Sequence, residues 1–225
     1  MASRFPQVDL YVYPTVINLQ LMNSNQIIRQ AKIFLRNIHT SRLLSSFPIF
    51  PSLLEYYNIQ YSEKQVKRID DNFHDYSLGT KFNVNMPPHV LPKRLRYLID
   101  KSFSGDVSGD IGESLFAYYL ISQLNIRPRL LGHLRPTKRR GFLTVDFIIW
   151  DRNTGLGNLL GTHSYSIPIF SEVKGFTGKM DSNRIAHGLL QLKNVVPASS
   201  FGLLFLAARN QTRQGYDAYV IRVRV

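Results

Sequence analysis

Phe142-Leu-Thr-Val-Asp-Phe-Ile-Ile-Trp150 and, further on, Ile169-Phe-Ser-Glu-Val-Lys174 are the two stretches on which the fold turns. In the first, apolar residues surround Asp146 on both faces, the pattern of a central strand covered on both sides. A lone carboxylate there is costly to bury unless a metal or hydrogen bonds compensate it. In the second, Glu172 and Lys174 stand two residues apart and so project from one face of a strand. Working outward, the pattern predicts a helix over 111–124, a short strand over 129–134 and a strand over 142–150. A Gly/Asn-rich turn region at 153–161 leads to a strand over 167–174. A helix over 184–196 and strands over 201–207 and 216–225 complete the series. That order predicts an α/β fold with a mixed central sheet flanked by helices.

The first 100 residues read differently. Asp9 to Leu21 is rich in β-branched and aromatic residues but interrupted by Pro14, which suggests an edge strand or extended arm. Asn25 to Ser46 has helical periodicity, and Ser62 to Tyr76 more weakly so. Pro87, Pro88 and Pro92 form a rigid connector before a short basic helix over 93–103, and Gly105, Gly109 and Gly112 suggest a loop. The expectation is a mainly helical N-terminal extension over 1–100 and a core domain over 101–225.

The 225 residues carry 28 Lys plus Arg against 15 Asp plus Glu, a formal charge of +13 and a pI near 10.1. This length can bury one sizeable core. There is no cysteine, so disulfides, thiol nucleophiles and Cys-ligated zinc are excluded. No uninterrupted apolar stretch of membrane-spanning length and no secretory leader pattern is visible, which leads to the expectation of a soluble intracellular protein without a membrane partner. The strong positive charge points to a polyanionic partner, since phosphate neutralisation releases counterions. Residues 101–225 hold 16 basic and 8 acidic side chains, so the placement of each acid matters there.

Asp146 and Glu172 on neighbouring strands would converge on one divalent cation, with the Val173 carbonyl as a third oxygen ligand. Hard oxygen ligands suit Mg²⁺ or Mn²⁺. Such an ion activates water and stabilises charge on a phosphodiester. Lys174 beside it would orient the attacking water and offset phosphate charge. The plainer alternative is a surface Glu172–Lys174 pair with Asp146 a satisfied core acid. Glu113 shares a helix stripe with Phe116, Ala117, Leu120 and Leu124, so it points inward, toward metal-bound water or a second ion. Asp110 and Glu113 also have capping-box spacing, and a first-turn role remains open. Arg184, His187 and Gln191 lie three and four apart on one polar face of the later helix. They would meet phosphate or water, or would simply be its solvated side. Gln191 is the best candidate of the three, and His187 reads as a bystander.

Arg135, Lys138, Arg139 and Arg140 form the densest basic cluster, just before the Asp146 strand, and Lys93, Arg94, Arg96 and Lys101 form a second. Each is either a solvated face or a nucleic-acid contact, the latter favoured by the net charge. No helix-turn-helix or zinc-finger spacing is present, so backbone and shape recognition is expected. The segment Gly175-Phe-Thr-Gly178-Lys179 lacks Walker spacing, Gly155 and Gly157 read as part of a hairpin connection, and no Gly-x-Ser-x-Gly elbow occurs.

Glu113 in Gly-Glu-Ser-Leu-Phe, Asp146 in Thr-Val-Asp-Phe, the run Glu172-Val173-Lys174 and Gln191 in Leu-Leu-Gln-Leu-Lys together resemble the PD-(D/E)XK nuclease superfamily, over residues 105–225. Val145 stands where that motif commonly has proline. The chain is similar to archaeal Holliday-junction-resolvase-like nucleases, a dimeric branch, and to nucleases of spindle-shaped archaeal viruses, which would place it in a host cytoplasm. The resemblance implies a restriction-endonuclease-like αβββαβ core and Mg²⁺- or Mn²⁺-dependent hydrolysis of DNA, double-stranded or branched, by a homodimer. It also implies that Asp146 and Glu172 are metal ligands and Lys174 a catalytic base or stabiliser. The alternative is a non-catalytic nucleic-acid-binding protein on a nuclease-like fold, and a weaker one is a packaging protein acting through charge alone.

Overall fold

In a computed structural model of the chain, the described residues are 7–49, 105–133, 145–196, 200–210, 212 and 215–225. They build an α/β architecture around one mixed, open, eight-stranded sheet. Strand β1 (Gln7–Val12) is followed by β2 (Ile17–Asn18), helix α1 (Ser24–Arg36) and β3 (Arg42–Pro48). Helix α2 (Gly105–Tyr118) runs into a wider π-helical turn at Tyr119–Gln123. Then come β4 (Leu131–His133), β5 (Phe147–Ile149), α3 (Thr154–Leu160), β6 (Ile169–Phe176), α4 (Ser182–Val195), β7 (Phe201–Arg209) and β8 (Gly215–Arg224). The strand order is β3-β1-β8-β7-β6-β5-β4, with β2 extending alongside β8. The pairs β1/β8, β2/β8 and β6/β7 are parallel and the others antiparallel. Among the described residues, no helix is long and apolar enough to cross a membrane.

Side-chain alternation along the strands divides the interior into two layers. On one face, Leu115 and Phe116 of α2, Leu120 of the π-helical turn and Leu156, Leu159 and Leu160 of α3 pack against Phe147, Val173, Leu203, Phe205 and Val220. On the other, Ile27, Ala31 and Phe34 of α1 join Ile185, Leu189 and Leu192 of α4 over Leu204, Leu206, Ile221 and Val223. Phe116 ties α2 to two strands, its ring 5.4 Å from Phe147 and 4.9 Å from Phe205 between centroids. Phe116→Ala is therefore expected to cost about 3–5 kcal/mol, read as a fall in the urea midpoint without a change in slope.

Several expectations from sequence need correction. Helical structure after Asn25 stops at Arg36, and Arg42–Pro48 is an edge strand antiparallel to β1. The helix begins earlier than its apolar pattern because Asn23 and Gln26 form a reciprocal capping box, with hydrogen bonds of 3.0 and 2.8 Å. Strand β1 is interior, between β3 and β8. Pro14 lies beyond its end, and Val8 and Leu10 are fully buried. Gly105, Gly109 and Gly112 are helical, not a loop, so α2 starts well before Asp110 and the capping-box reading of Asp110 and Glu113 fails. Residues 153–161 are not a turn between strands. Asn153 caps α3 by accepting from Leu156 N–H at 2.7 Å, and Gly161, at φ 73°, closes it in the left-handed conformation. The strand expected over 129–134 is a 3₁₀ turn at Pro128–Leu130 followed by β4.

The division expected near residue 100, the helices expected over 62–76 and 93–103 and the proline connector lie outside the described residues. On either side of that segment, β1 and β8 pair residue for residue from Gln7 with Gly215 to Val12 with Val220, within one sheet. Residues 7–49 contribute three strands and one α-helix to this shared layer structure.

Candidate functional site

Strand β6 organises the site. Alternation sends Ile169, Ser171 and Val173 toward α2, and Phe170, Glu172, Lys174 and Phe176 toward α4. Helix α4 comes down closely on the second set because Gly188 has no side chain: a Cβ there would sit 3.3 Å from Glu172 Cγ and 3.5 Å from Lys174 Cε. Helix α2 approaches the opposite face through Gly112, where a Cβ would lie 3.1 Å from Val173 Cγ1 and 3.2 Å from the Gly175 backbone. The next residue, Glu113, is carried to the same stretch of β6 and is 9% exposed.

Asp146 is half-buried at a bend immediately before β5, not within the strand as its apolar surroundings suggested. The pairing of β5 with β6 runs from Ile149–Ile169 to Phe147–Ser171. One step further, the Asp146 side chain takes over the ladder: its Oδ2 accepts from Val173 N–H at 2.7 Å. The carboxylate thus substitutes for a backbone acceptor where the strands part. This explains how an acid is accommodated there and why it stands beside Glu172.

Glu172 is fully buried. Its Oε1 accepts from Lys174 Nζ, while Oε2 is buried with no hydrogen-bond partner among the described residues. Burial, and then the negative charge of Asp146, push its carboxyl up to about 8. Lys174 pulls the other way, and Glu113 adds a smaller upward push. Asp146 and Glu113 thus both act on Glu172, although the three acids arrive from the bend before β5, from α2 and from β6. As placed, no group of three His, Asp or Glu side chains among the described residues is arranged to hold one metal ion.

The donor chemistry nevertheless fits a hard divalent cation. Asp146, Glu172 and Glu113 supply oxygen, Val173 lies beside Asp146, and a buried carboxylate oxygen of Glu172 lacks a partner. No family model, curated protein or solved structure matches the chain.

Helix α4 separates the three polar residues that helical spacing put on one face. Arg184 and His187 are exposed, whereas Gln191 is buried at 9% exposure beneath the helix, one turn beyond Gly188. Arg184 is not merely solvated: its guanidinium carbon stands 4.9 Å above the centre of the Phe176 ring. Phe176 lies two residues beyond Lys174 on the same face, about 6.5 Å along the strand. His187 makes no described contact with the acids. The basic residues Arg135, Lys138, Arg139, Arg140, Lys93, Arg94 and Arg96 lie outside the described residues.

Sequence reasoning missed Gly112, Gly188 and Phe176. The signal for the glycines was present, since a glycine inside a helical pattern marks a packing reason for tolerating its cost. For Phe176 there was none, because an aromatic at a strand end reads as core.

Proposed function

We propose that the chain is a metal-dependent nuclease that hydrolyses DNA phosphodiester bonds, built on a restriction-endonuclease-like core. The observation that carries this reading is the buried Glu172 carboxylate, paired with Lys174 and flanked by Asp146 and Glu113 from separate elements. A structural ion pair does not require three acids brought to one strand, and their repulsion costs stability unless a cation is taken up. The order α2-β4-β5-β6-α4-β7, with α3 inserted after β5, supports the core assignment.

When bound, Mg²⁺ or Mn²⁺ supplies Lewis acidity toward the phosphate and acidifies a water molecule. Asp146, Glu172 and Glu113 would hold it, with the Val173 carbonyl nearby. Lys174 orients the attacking water and offsets charge gathering on the phosphate oxygens. As the water oxygen bonds to phosphorus and gives up its proton to solvent, the ester P–O bond opens, and the departing oxygen is protonated from solvent. Gln191, buried on the sheet side of α4, would position water or meet the scissile phosphate. Arg184, steadied by Phe176, grips the backbone beside the cut, together with the basic clusters at 93–96 and 135–140. Junction or branch selectivity and a homodimer remain part of the proposal through the family resemblance alone.

The decisive experiment incubates the protein with labelled linear and branched DNAs and Mg²⁺ or Mn²⁺. Cleavage of at least one substrate, abolished by chelator, is expected. A complete lack of cleavage would favour the second reading, a nucleic-acid-binding protein without chemistry. Arg184→Ala is expected to weaken DNA binding similarly across sequences and to flatten the plot of log K against log salt by about 1. Salt-titrated fluorescence anisotropy measures both, and an unchanged slope removes Arg184 from the phosphate track.

A further inference from the structure

We propose that Lys174 is the resident counter-ion of this site, competing with a divalent cation for Glu172, so that metal uptake displaces the ammonium toward the substrate. The inference rests on the metal-dependent reading above. Among the described residues, Lys174 is the one cation in an ion pair with Glu172. Once all three carboxyls are ionised, Glu113, Asp146 and Glu172 with the Lys174 ammonium carry a formal excess of two negative charges, which one divalent ion balances. Removing a counter-charge from a buried carboxylate is costly, so an empty site keeps its lysine.

Two features make the exchange feasible. The Lys174 side chain is 16% exposed while that of Glu172 is 0%, so the ammonium sits on the solvent side of the acid it covers. Its stem passes under Gly188, where a Cβ would stand 3.5 Å from Cε, so no side chain of α4 pins it at that point. One oxygen of Glu172 is committed to Lys174, so the pair must open before that oxygen can serve a metal. Metal binding would then free the oxygen and the lysine in one step. The catalytic cation of the side chain becomes available only when the metal is present.

The test measures Mn²⁺ binding by calorimetry to the full chain as wild type, Lys174→Met and Lys174→Arg, without DNA. Competition predicts Mn²⁺ binding about tenfold or more tighter in Lys174→Met and close to wild type in Lys174→Arg. Alongside it, the wild-type protein with ¹³C-methylated lysines is titrated with Mg²⁺. The Lys174 signal, assigned by its loss in Lys174→Arg, should move toward the solvent-exposed lysine position. Equal or weaker Mn²⁺ binding in Lys174→Met, while wild type binds, overturns the competition and leaves the metal reading standing. Should Lys174→Met fail to fold, an unmoved Lys174 signal in metal-saturated wild type overturns it equally. Lack of Mn²⁺ binding in all three folded proteins removes the metal reading and this inference with it.

Discussion

Glu172→Gln is expected to abolish Mg²⁺-dependent cleavage, by at least about a thousandfold, and at the same time to raise the melting temperature of the metal-free protein above pH 8. The first effect follows, on the proposed metal-dependent reading, from losing the most buried carboxylate of the site. The second follows from proton linkage. Burial, Asp146 and Glu113 raise the carboxyl from the ordinary 4.5 to about 8 against the pull of Lys174. A group whose native pKa is raised contributes stability that is complete below about 4.5 and is lost as pH climbs through about 8. Wild type in chelator therefore loses stability between pH 5 and 9 through this residue, whereas the neutral amide of Gln does not. A difference on the order of 2–3 kcal/mol at pH 9 corresponds to a gain of roughly 4–10 °C for a chain of this size. Differential scanning fluorimetry at pH 6 and pH 9, with and without Mg²⁺, checks it. The gap between variant and wild type should widen with pH in chelator and shrink when Mg²⁺ stabilises wild type alone. A gap independent of both pH and metal would mean that Glu172 is an ordinary satisfied acid.

The contrast between activity and stability also shows which features of the site could be read in the sequence. Glu172 and Lys174 on one face needed only the two-residue period of a strand, and β6 obeys it. Glu113 facing inward needed only the helical stripe with Phe116, Ala117 and Leu120, all three of which are fully buried. Asp146 was harder. Its apolar neighbours suggested a strand interior, whereas the carboxylate stands at a bend and completes the β5–β6 ladder through Val173 N–H. A backbone hydrogen bond from a residue 27 positions away leaves no periodic trace. Similar blindness affected α3, whose Asn153 cap and Gly161 terminator look like turn residues when the seven-residue helix between them is short. It affected β3 too, where Leu43 fitted a helical spacing that Arg42–Pro48 does not adopt. Local pattern alone cannot tell that this stretch pairs with β1, because pairing depends on partners far along the chain.

Close helix approach on both faces of β6 leads to the second large effect. At Gly112, a Cβ would press on the Gly175 backbone at 3.2 Å and on Val173 Cγ1 at 3.1 Å, and a paired strand cannot give way. At Gly188, the tightest neighbour is Leu204 Cδ1 at 2.7 Å, the far end of a side chain that can rotate, followed by Glu172 Cγ and Lys174 Cε. Alanine has a helix propensity about 1 kcal/mol better than glycine, so it gains at both sites before packing is counted. Gly188→Ala is accordingly expected to fall within about 1 kcal/mol of wild type, and Gly112→Ala to lose about 1–2 kcal/mol. Valine at 112 should lose about 3 kcal/mol or more and, by lifting α2, carry Glu113 away from Glu172. Leucine at 188 should do comparable damage by forcing α4 off Glu172 and Lys174. Urea denaturation of the four variants gives the order, and Mn²⁺ calorimetry on those that fold separates the faces. Gly112→Ala should weaken metal binding more than Gly188→Ala, since only the former shifts a carboxylate-bearing helix. The reverse order would mean that Glu113 takes no part and that the site belongs to β6 and α4 alone.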